Sequence, residues 1–401
     1  METVLFVGAG RHQRRALRHA RELGLRVAAI DRNPDAPGFD EADLSETVDF
    51  ADVAAAVEAA RRIAPDGVLA VASDRAVPVA ARIAAELGLP GIGPEAARLV
   101  TDKVAMRLRL EEADVPQPRF APVREHDDAR AAFGEVGLPA VVKPADSAGQ
   151  RGLALVRSAA ELEPALAAAL RESRSGDAIL ERFHQGTEVN CLAVARDGEV
   201  SLLTVSDRRR PGGEGFGVCL AHVYPALLDA ETAAEVERVA EASVRAMGLV
   251  DSVAYPQLLV SADGVRVVEI AARVPAGLMD EVSRLGIGVD VVQVALLQAL
   301  GVPVPDELLR PRVSQPLAIR FLTAGPGPLP VGVVRSVNGI EHALAAPGVV
   351  AGESFLVPGE LVRPARVDGD RRGYVIALGE SGEEALARAD AAAALIGVEV
   401  E

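Results

Sequence analysis

The sequence is poor in cysteine and in long apolar runs, and each shortage argues against a class of protein. Two cysteines, Cys191 and Cys219, are too few for a disulfide framework and lack the spacing of a metal site, which fits a reducing compartment. No apolar run is long enough to span a bilayer, and the first residues lack the basic region and long apolar core of a signal peptide. We therefore expect a cytoplasmic protein.

The chain also lacks basic excess and aromatic residues. It has 42 Lys and Arg against 58 Asp and Glu, a net charge of −16 at pH 7, which argues against general binding to nucleic acid. Hydrophobic residues make up 49% of the chain, but aromatic residues only 3%. The 401 residues are therefore enough for two or three domains with cores built from Ala, Leu and Val.

Strands and helices alternate over the first part of the chain. The pattern predicts strands over residues 3–7, 26–30 and 67–71 and helices over residues 13–23, 51–63 and 77–87. That alternation predicts a parallel sheet with right-handed crossovers. One further helix is predicted over residues 96–113, and from Arg119 the mixture of elements is typical of an α+β fold.

The segment over residues 252–273 predicts a β-hairpin that ends in an acid and a cation. Ala262-Asp263-Gly264 suits a three-residue loop with glycine in the left-handed conformation. Such a loop places Glu269 directly opposite Gln257, roughly 5 Å away on one face. Glu269 suits a divalent cation, and Arg273 can then meet an anion beyond the strand. The alternative is a surface hairpin with an isolated acid.

Two further segments suit a nucleotide. Lys143 ends an apolar strand and precedes a Gly-containing loop over residues 144–152, whose backbone N–H groups can approach phosphate oxygens. The lysine precedes the glycines, so the loop is not a P-loop, and an ordinary surface turn is the alternative. Glu181 and Glu188 flank a strand end, where backbone groups can bind an adenine edge and a carboxylate can accept ribose hydroxyls. A charged turn is the alternative there.

The order of these segments resembles the ATP-grasp superfamily. Lys103, the Lys143 loop, the pair Glu181 and Glu188, and the hairpin follow one another in the family's order, and residues 372–379 are similar to its closing domain. The chain most resembles carboxylate–amine ligases related to L-amino acid ligases and carbamoyl-phosphate-synthase-type proteins. The implied fold combines α/β and α+β parts: a Rossmann-like domain (1–95), an ATP-grasp domain of two subdomains that clamp ATP (96–310), and a small α+β C-terminal domain (311–401).

The resemblance implies a role for each singled-out residue. The residues expected to contact the phosphates, adenine or ribose of ATP are Lys103, Lys143, Ser147, Gln150, Gly152, Glu181, Arg182, Phe183 and Glu188. Glu269 would bind Mg²⁺ or Mn²⁺ together with Gln257, and Arg273 with Lys143 would stabilise the transferred phosphoryl group.

Two positions depart from the family pattern. The family commonly places its first metal-binding acid where this chain has Gln257, and often an asparagine where it has Ala271. An amide oxygen can still ligate Mg²⁺, but it brings no charge. The departure at Gln257 therefore predicts weaker metal binding or reliance on a single ion.

The implied reaction activates a carboxylate as an acyl phosphate and lets an amine attack it, giving an amide or peptide bond, ADP and phosphate. Because two anions must meet, a cationic substrate clamp is expected. We predict that one or more of Arg208, Arg209 and Arg210 binds the substrate carboxylate, with Gly212 and Gly213 allowing a mobile lid; a solvated loop is the alternative. Further substrate candidates are Ser73, Asp74, Arg75 and His222.

Other interpretations remain open at this stage. A biotin- or bicarbonate-dependent carboxylase belongs to the same superfamily, and Gln257 motivates a non-catalytic ATP-binding regulator. Gly8-Ala9-Gly10 with Asp31 motivates a dinucleotide-binding oxidoreductase, although the usual third glycine is missing. The expected partners are small-molecule carboxylate and amine substrates and a second copy of the chain in a homodimer, without nucleic acid or membrane.

Overall fold

A four-stranded parallel sheet forms the centre of the N-terminal region, as the alternation predicted. The computed structural model of the protein describes residues 1–124, 129–211 and 216–401. The strands of this sheet are β1 (Thr3–Val7), β2 (Arg26–Asp31), β3 (Leu44–Thr47) and β4 (Gly67–Leu69), in the order β3-β2-β1-β4. The helices between and after them are α1 (Arg14–Glu22), α2 (Val53–Ile63) and α3 (Ala76–Leu87). Because β1 and β4 are parallel neighbours, the segments that follow them lie side by side at one edge.

The single helix predicted after residue 95 is two helices. Helix α4 (Gly93–Thr101) ends and α5 (Lys103–Glu112) begins at Asp102. Asp102 is extended, and its carboxylate accepts hydrogen bonds from two backbone N–H groups of α5, the geometry of an N-cap. The prediction of one helix is wrong because aspartate favours a cap over a helix interior. The break makes Lys103 the first residue of α5.

A small antiparallel sheet follows. Its strands are β5 (Phe120–Val123), β6 (Ala140–Pro144), β7 (Ala154–Val156) and β8 (Ala178–Arg182), in the order β5-β8-β6-β7. Helices α6 (Ala129–Val136) and α7 (Ala159–Glu172) pack on it, and the buried cluster between them consists of Ala, Val and Leu alone, as the composition predicted. Glu181 is opposite Val141, so Lys143, two residues further along β6, lies on the same face as Glu181.

An eight-stranded antiparallel sheet connects the middle of the chain to its C-terminal region. Its strands are β9 (Gly186–Arg196), β10 (Glu199–Arg209), β11 (Ala221–Tyr224), β12 (Ser252–Ser261), β13 (Gly264–Ala271), β14 (Leu317–Phe321), β16 (Val349–Ser354) and β18 (Gly373–Leu378). The order is β13-β12-β9-β10-β11-β14-β18-β16. Three strands of region 311–401 therefore extend the sheet that carries the predicted hairpin.

The remaining elements cover this sheet or form a three-stranded sheet beside it. The small sheet contains β15 (Gly332–Asn338), β17 (Leu361–Val362) and β19 (Gly397–Val400). The helices are α8 (Ala230–Ala246), α9 (Met279–Gly286), α10 (Val291–Ala299), α11 (Asp306–Leu309), α12 (Ile340–Leu344) and α13 (Gly382–Ala393). Among the described residues no single helix is long and apolar enough to cross a membrane; the pair α9 and α10, bent by 114°, meets that test only when taken together.

The hairpin of β12 and β13 has the predicted pairing of Gln257 with Glu269, but its loop and its register differ from the prediction. Its loop has two residues, 262 and 263, because Ser261 pairs with Gly264. A register irregularity just after Gln257 then shifts the pairing by one residue and brings Gln257 opposite Glu269. The prediction of a three-residue loop is therefore wrong, whereas the opposition of Gln257 and Glu269 is confirmed. Gly264 has a φ of +100°, a conformation that favours glycine.

Candidate functional site

A row of polar side chains crosses one face of the eight-stranded sheet. Asn190 of β9 is opposite Gln257 of β12, which is itself opposite Glu269 of β13. Glu188 lies two residues before Asn190, so both side chains point to the same face. The hairpin therefore continues into a polar surface built by neighbouring strands.

Lys103 meets Glu269 at one end of this row. Its Nζ lies 3.0 Å from Oε1 of Glu269 and donates to the carbonyl oxygen of Ser147 at 2.7 Å. Burial raises the pKa of Glu269, but the positive charges of Lys103, Lys143 and Arg273 outweigh it and hold that pKa below its usual value. Glu269 is therefore a charged carboxylate at neutral pH.

A second buried network holds Lys143. Its Nζ lies 2.9 Å from Oε2 of Glu181, and Nε of Arg107 donates to the other carboxylate oxygen at 2.8 Å. The exposed fractions of Lys143, Glu181 and Arg107 are 6%, 4% and 1%. Burial raises the pKa of Glu181, but the charges of Arg107 and Lys143 outweigh this effect and lower the pKa to about 2. Arg107 also donates to two carbonyl oxygens of β13, at 2.9 and 2.7 Å, so it ties α5 and β8 to the strand of Glu269.

Arg107 is the main site residue that the sequence pattern did not single out. It follows Lys103 by four positions, one helical turn, so both point to the same side of α5. The composition also points to this site, because Lys103 and Lys143 are the only lysines among the 42 Lys and Arg residues of the sequence. A compact ammonium differs in geometry from the planar guanidinium, so lysine confined to one cleft indicates a specific requirement there.

The loop over residues 147–152 covers this cleft. Gly152 has a φ of +67°, and a Cβ there would lie 2.9 Å from Pro144, so the turn requires glycine. The carbonyl of Gly149 accepts a hydrogen bond from the N–H of Asp368 at 3.2 Å, so the loop contacts the C-terminal region. Ser147 and Gln150 line the cleft together with Lys103, Lys143, Glu181, Phe183, Glu188, Gln257 and Glu269. The predicted lid glycines, Gly212 and Gly213, lie outside the described residues.

The other end of the cleft is aromatic. Phe183 lies edge-to-face with Phe216, their ring centroids 6.0 Å apart. The guanidinium of Arg182 donates to the carbonyl of Leu138, so one terminal nitrogen of this side chain is used within the chain. Both oxygens of Glu181 have cationic partners, Arg107 and Lys143, so this carboxylate holds Lys143 in position. Its contact with adenine stays a prediction.

The three predicted clamp arginines separate. Arg208 and Arg210 both point toward Glu188, with nitrogen–oxygen distances of 2.8 Å each. Arg209 points to the opposite face, pairs with Glu383 and lines neither the cleft nor the cavity described below. Alternate residues of a strand face opposite sides, so only Arg208 and Arg210 share the face of Glu188. That one or more of the three arginines binds the substrate stays a prediction. Arg208 and Arg210 already have a carboxylate partner within the chain.

A cavity of about 690 Å³ adjoins the cleft. It lies between the edge of the N-terminal sheet, the hairpin and the C-terminal region, and Gln257, Glu269 and residues 148–151 line both spaces. Five carboxylates line it, against these nine arginines: Arg11, Arg14, Arg15, Arg18, Arg75, Arg151, Arg208, Arg273 and Arg371. In a chain with a net charge of −16, such a cavity favours an anionic ligand.

Asp74 fixes Arg273 at the junction of cleft and cavity. Nε and a terminal nitrogen of Arg273 lie 2.9 and 2.8 Å from Oδ1 of Asp74. Ser73 and Asp74 follow β4 and line the cavity, at the sheet edge where open α/β sheets bind ligands. The N-terminal sheet therefore positions the arginine that the hairpin contributes.

His222 lines the same cavity as a buried neutral side chain. The amide nitrogen of Asn190 lies 2.9 Å from its Nδ1, and the ring of Phe321 is edge-to-face at 5.5 Å. Burial, with Arg371 and Arg208 nearby, lowers the pKa of His222 well below its ordinary value.

The glycine turn at residues 8–10 is closed by the chain itself. The N–H of Ala9 donates to Oδ2 of Asp31 at 2.9 Å, and its carbonyl accepts from the N–H of Gly38 at 2.7 Å. Asp31 and the turn are thus bound to one another, which argues against their use in binding a dinucleotide.

The chain is similar to known proteins over almost its whole length. The chain matches the model of the ATP-grasp domain over residues 108–277 and that of L-amino acid ligase C-terminal domain 2 over residues 321–401. Formate-dependent phosphoribosylglycinamide formyltransferase from Nitratidesulfovibrio vulgaris is 30% identical over 428 residues, covering 99% of this chain and 96% of the relative. The protein of that name from Burkholderia thailandensis is 28% identical over 405 residues, covering 98% and 94%.

A solved structure shares the whole architecture. The crystal structure of L-amino acid ligase from Bacillus licheniformis superimposes with a TM-score of 0.87 at 20% identity, covering 100% of this chain and 99% of that one. At that identity the likeness establishes a common fold, and the expectation of an ATP-grasp fold with its flanking domains is confirmed.

Proposed function

The chain belongs to the ATP-grasp family, and from that premise we propose that it joins a carboxylate to an amine using ATP, with release of ADP and phosphate. ATP with Mg²⁺ is the cofactor pair of this family. The observation that carries the proposal is the junction at Glu269, where the cleft with the two lysines meets the cationic cavity beside Arg273. Two anionic substrates can meet there.

ATP would lie in the cleft. Lys103 and Lys143 would contact its phosphates under the loop of residues 147–152, and the backbone near Phe183 would contact adenine. Glu188 would accept the ribose hydroxyls. Support for that role comes from its two arginine neighbours, Arg208 and Arg210, each 2.8 Å from one of its oxygens, which hold the carboxylate in place.

Glu269 and Gln257 would hold the metal ion. Among the described residues no group of three or more His, Cys, Asp or Glu side chains can hold a metal, so this carboxylate and this amide are the donors at hand. They fit Mg²⁺, which binds through one or two protein ligands and otherwise through water and phosphate oxygens. When bound, the ion would neutralise phosphate charge and reduce the repulsion between ATP and the acid.

The chemistry then proceeds in two balanced steps. A carboxylate oxygen attacks the γ-phosphorus, ADP leaves, and an acyl phosphate forms. The amine nitrogen attacks the acyl carbon and loses a proton, and phosphate leaves with one oxygen that came from the acid. Arg273, fixed by Asp74, and Lys143 stabilise the negative charge of the phosphoryl group during transfer.

ADP release in a screen of paired acids and amines tests this function. We expect ADP and phosphate in equal amounts only when both an acid and an amine are present. Formate with phosphoribosylglycinamide is the first pair to try, because relatives that match almost the whole chain are named for it. Bicarbonate-dependent ADP release without an amine would favour a carboxylase. Tight ATP binding without turnover in every mixture would contradict the ligase and favour a regulator.

Replacing Gln257 with glutamate tests the metal position. The change gives the site a second carboxylate, so we expect the Mg²⁺ concentration for half-maximal activity to fall about tenfold. Gln293→Glu on α10 adds the same charge outside both spaces and should leave it unchanged. Identical Mg²⁺ dependence in Gln257→Glu and the unmodified protein would mean that position 257 does not face the metal.

A further inference from the structure

Among the residues that the structure describes, three of the nine arginines that line the cavity have no carboxylate oxygen within 4.0 Å. The other six each have an Asp or Glu oxygen within 4.0 Å. Among the described residues no such oxygen lies that close to Arg11, Arg75 or Arg151. Arg11 instead stacks on the ring of Phe355, its guanidinium carbon 4.4 Å from the centroid. Arg75 and Arg151 therefore have no direct ion-pair partner in the described part of the chain.

Arg75 and Arg151 come from different parts of the molecule. Arg75 precedes α3 at the edge of the N-terminal sheet, next to Asp74, which holds Arg273. Arg151 belongs to the loop over the cleft, where its Nε lies 3.5 Å from the hydroxyl oxygen of Ser147. Both side chains are exposed and line the cavity, so both are accessible to a ligand that enters it.

The surroundings of Arg75 are cationic. Burial lowers the pKa of this guanidinium, and the charges of Arg151, Arg174 and Arg32 lower it further, whereas the carboxylate of Asp146 raises it to a smaller extent. This end of the cavity thus concentrates like charges whose mutual repulsion a bound anion would relieve.

We propose that Arg75 and Arg151 form an anion clamp that binds an oxyanion group, carboxylate or phosphate, of the acid substrate. The identity of the ligand as the acid rests on the proposed function. The arginines expected to bind the substrate carboxylate from sequence, Arg208 and Arg210, are held by Glu188, so the acid needs other cations. Arg75 is next to Asp74, the residue that fixes Arg273, so the clamp adjoins the place where the phosphoryl group is transferred. Guanidinium groups suit carboxylate and phosphate alike because they bind either one with two parallel hydrogen bonds.

Anion binding by the full chain tests the clamp without catalysis. Inorganic phosphate and succinate would be titrated calorimetrically into protein saturated with Mg²⁺ and a non-hydrolysable ATP analogue, which fills the phosphate positions of the cleft. We expect Arg75→Gln and Arg151→Gln each to weaken binding about tenfold or more. Tighter binding of phosphate would point to a phosphorylated acid, and tighter binding of succinate to a dicarboxylic acid.

Two matched variants control for general charge effects. Arg82→Gln removes an arginine from the same helix as the Arg75 segment, where it pairs with Glu86 outside the cavity. Arg157→Gln removes an exposed arginine that follows β7. Both should bind the anions as the unmodified protein does. Equal losses in Arg82→Gln and Arg75→Gln, or no loss in Arg75→Gln, would overturn the clamp.

The clamp and the proposed ligase can fail separately. If ADP release requires acid and amine but Arg75→Gln leaves the KM of the acid unchanged, the clamp is wrong and the ligase stands. If anion binding depends on Arg75 and Arg151 but no acid and amine pair yields ADP, the clamp stands and the ligase is wrong.

Discussion

Replacing Lys143 with alanine should reduce MgATP affinity or turnover by about a hundredfold or more, because a buried charge-assisted contact to phosphate is lost. The loss should not arise from unfolding. Glu181, the partner of Lys143, retains its hydrogen bond from Arg107 at 2.8 Å, so no buried carboxylate is left unpaired. Calorimetric titration with a non-hydrolysable ATP analogue measures the affinity directly.

The control removes a positive charge elsewhere in the same sheet region. Arg157→Ala is exposed and lies outside the cleft, so its ATP affinity should match that of the unmodified protein. The scarcity of lysine offers an independent readout, because Lys103 and Lys143 are the only lysine side chains that an amine-specific reagent can modify. MgATP should protect both lysines. Unchanged affinity in Lys143→Ala, or labelling that MgATP does not affect, would contradict the assignment of the cleft to ATP.

Replacing Arg107 with methionine should lower the free energy of unfolding by about 3 to 5 kcal/mol, because Glu181 loses one of its two buried cationic partners and two buried carbonyl oxygens of β13 lose their donor. Four hydrogen-bonded contacts depend on this side chain: Glu181, Gln117 and two carbonyls of β13. ATP affinity should also fall, because Lys143 and Glu269 would lose their common support. Urea unfolding measures the first effect and calorimetry the second.

Two further variants keep this expectation testable if the methionine variant folds poorly. Arg107→Lys retains a charge for Glu181 but not the full fork to β13, so we expect an intermediate loss. Arg109→Met on the same helix removes an exposed arginine and should cost about 1 kcal/mol or less. Equal stability of Arg107→Met and Arg109→Met would contradict the role given to Arg107.

The pH dependence of stability gives the same network a second signature. The pKa of Glu181 is lowered from 4.5 to about 2 in the folded protein, so its stabilising contribution is complete above pH 4.5 and disappears as the pH falls through 2. Arg107→Met removes the larger of the two charges that lower this pKa. The free energy of unfolding of the unmodified protein should therefore exceed that of Arg107→Met by less and less as the pH falls from 4.5 to about 2.

The sequence predicted which residues form the site better than it predicted the side chains that they contact. Period and spacing placed Glu269 opposite Gln257, even though the loop is shorter than predicted and a bulge restores the pairing. They could not show that Arg208 and Arg210 are both bound to Glu188, because that pairing joins side chains on adjacent strands.

Long-range contacts account for what the sequence pattern missed. Arg107 stands among ordinary helix residues, and only the fold brings β8 and β13 to it. The helix break at Asp102 was missed because a local cap outweighed an uninterrupted helical pattern. The extension of the large sheet by β14, β16 and β18 likewise depends on pairing between distant strands.

The most direct test of acid activation follows oxygen from the acid into phosphate. The acid that supports ADP release, formate in the first instance, would be supplied with ¹⁸O in its carboxylate, and the released phosphate analysed by mass spectrometry. The proposed chemistry predicts one ¹⁸O atom in each phosphate, because the acyl phosphate breaks between carbon and oxygen. Phosphate without ¹⁸O, formed while ADP is released, would mean that water and not the carboxylate attacks the γ-phosphorus, and would contradict the central claim.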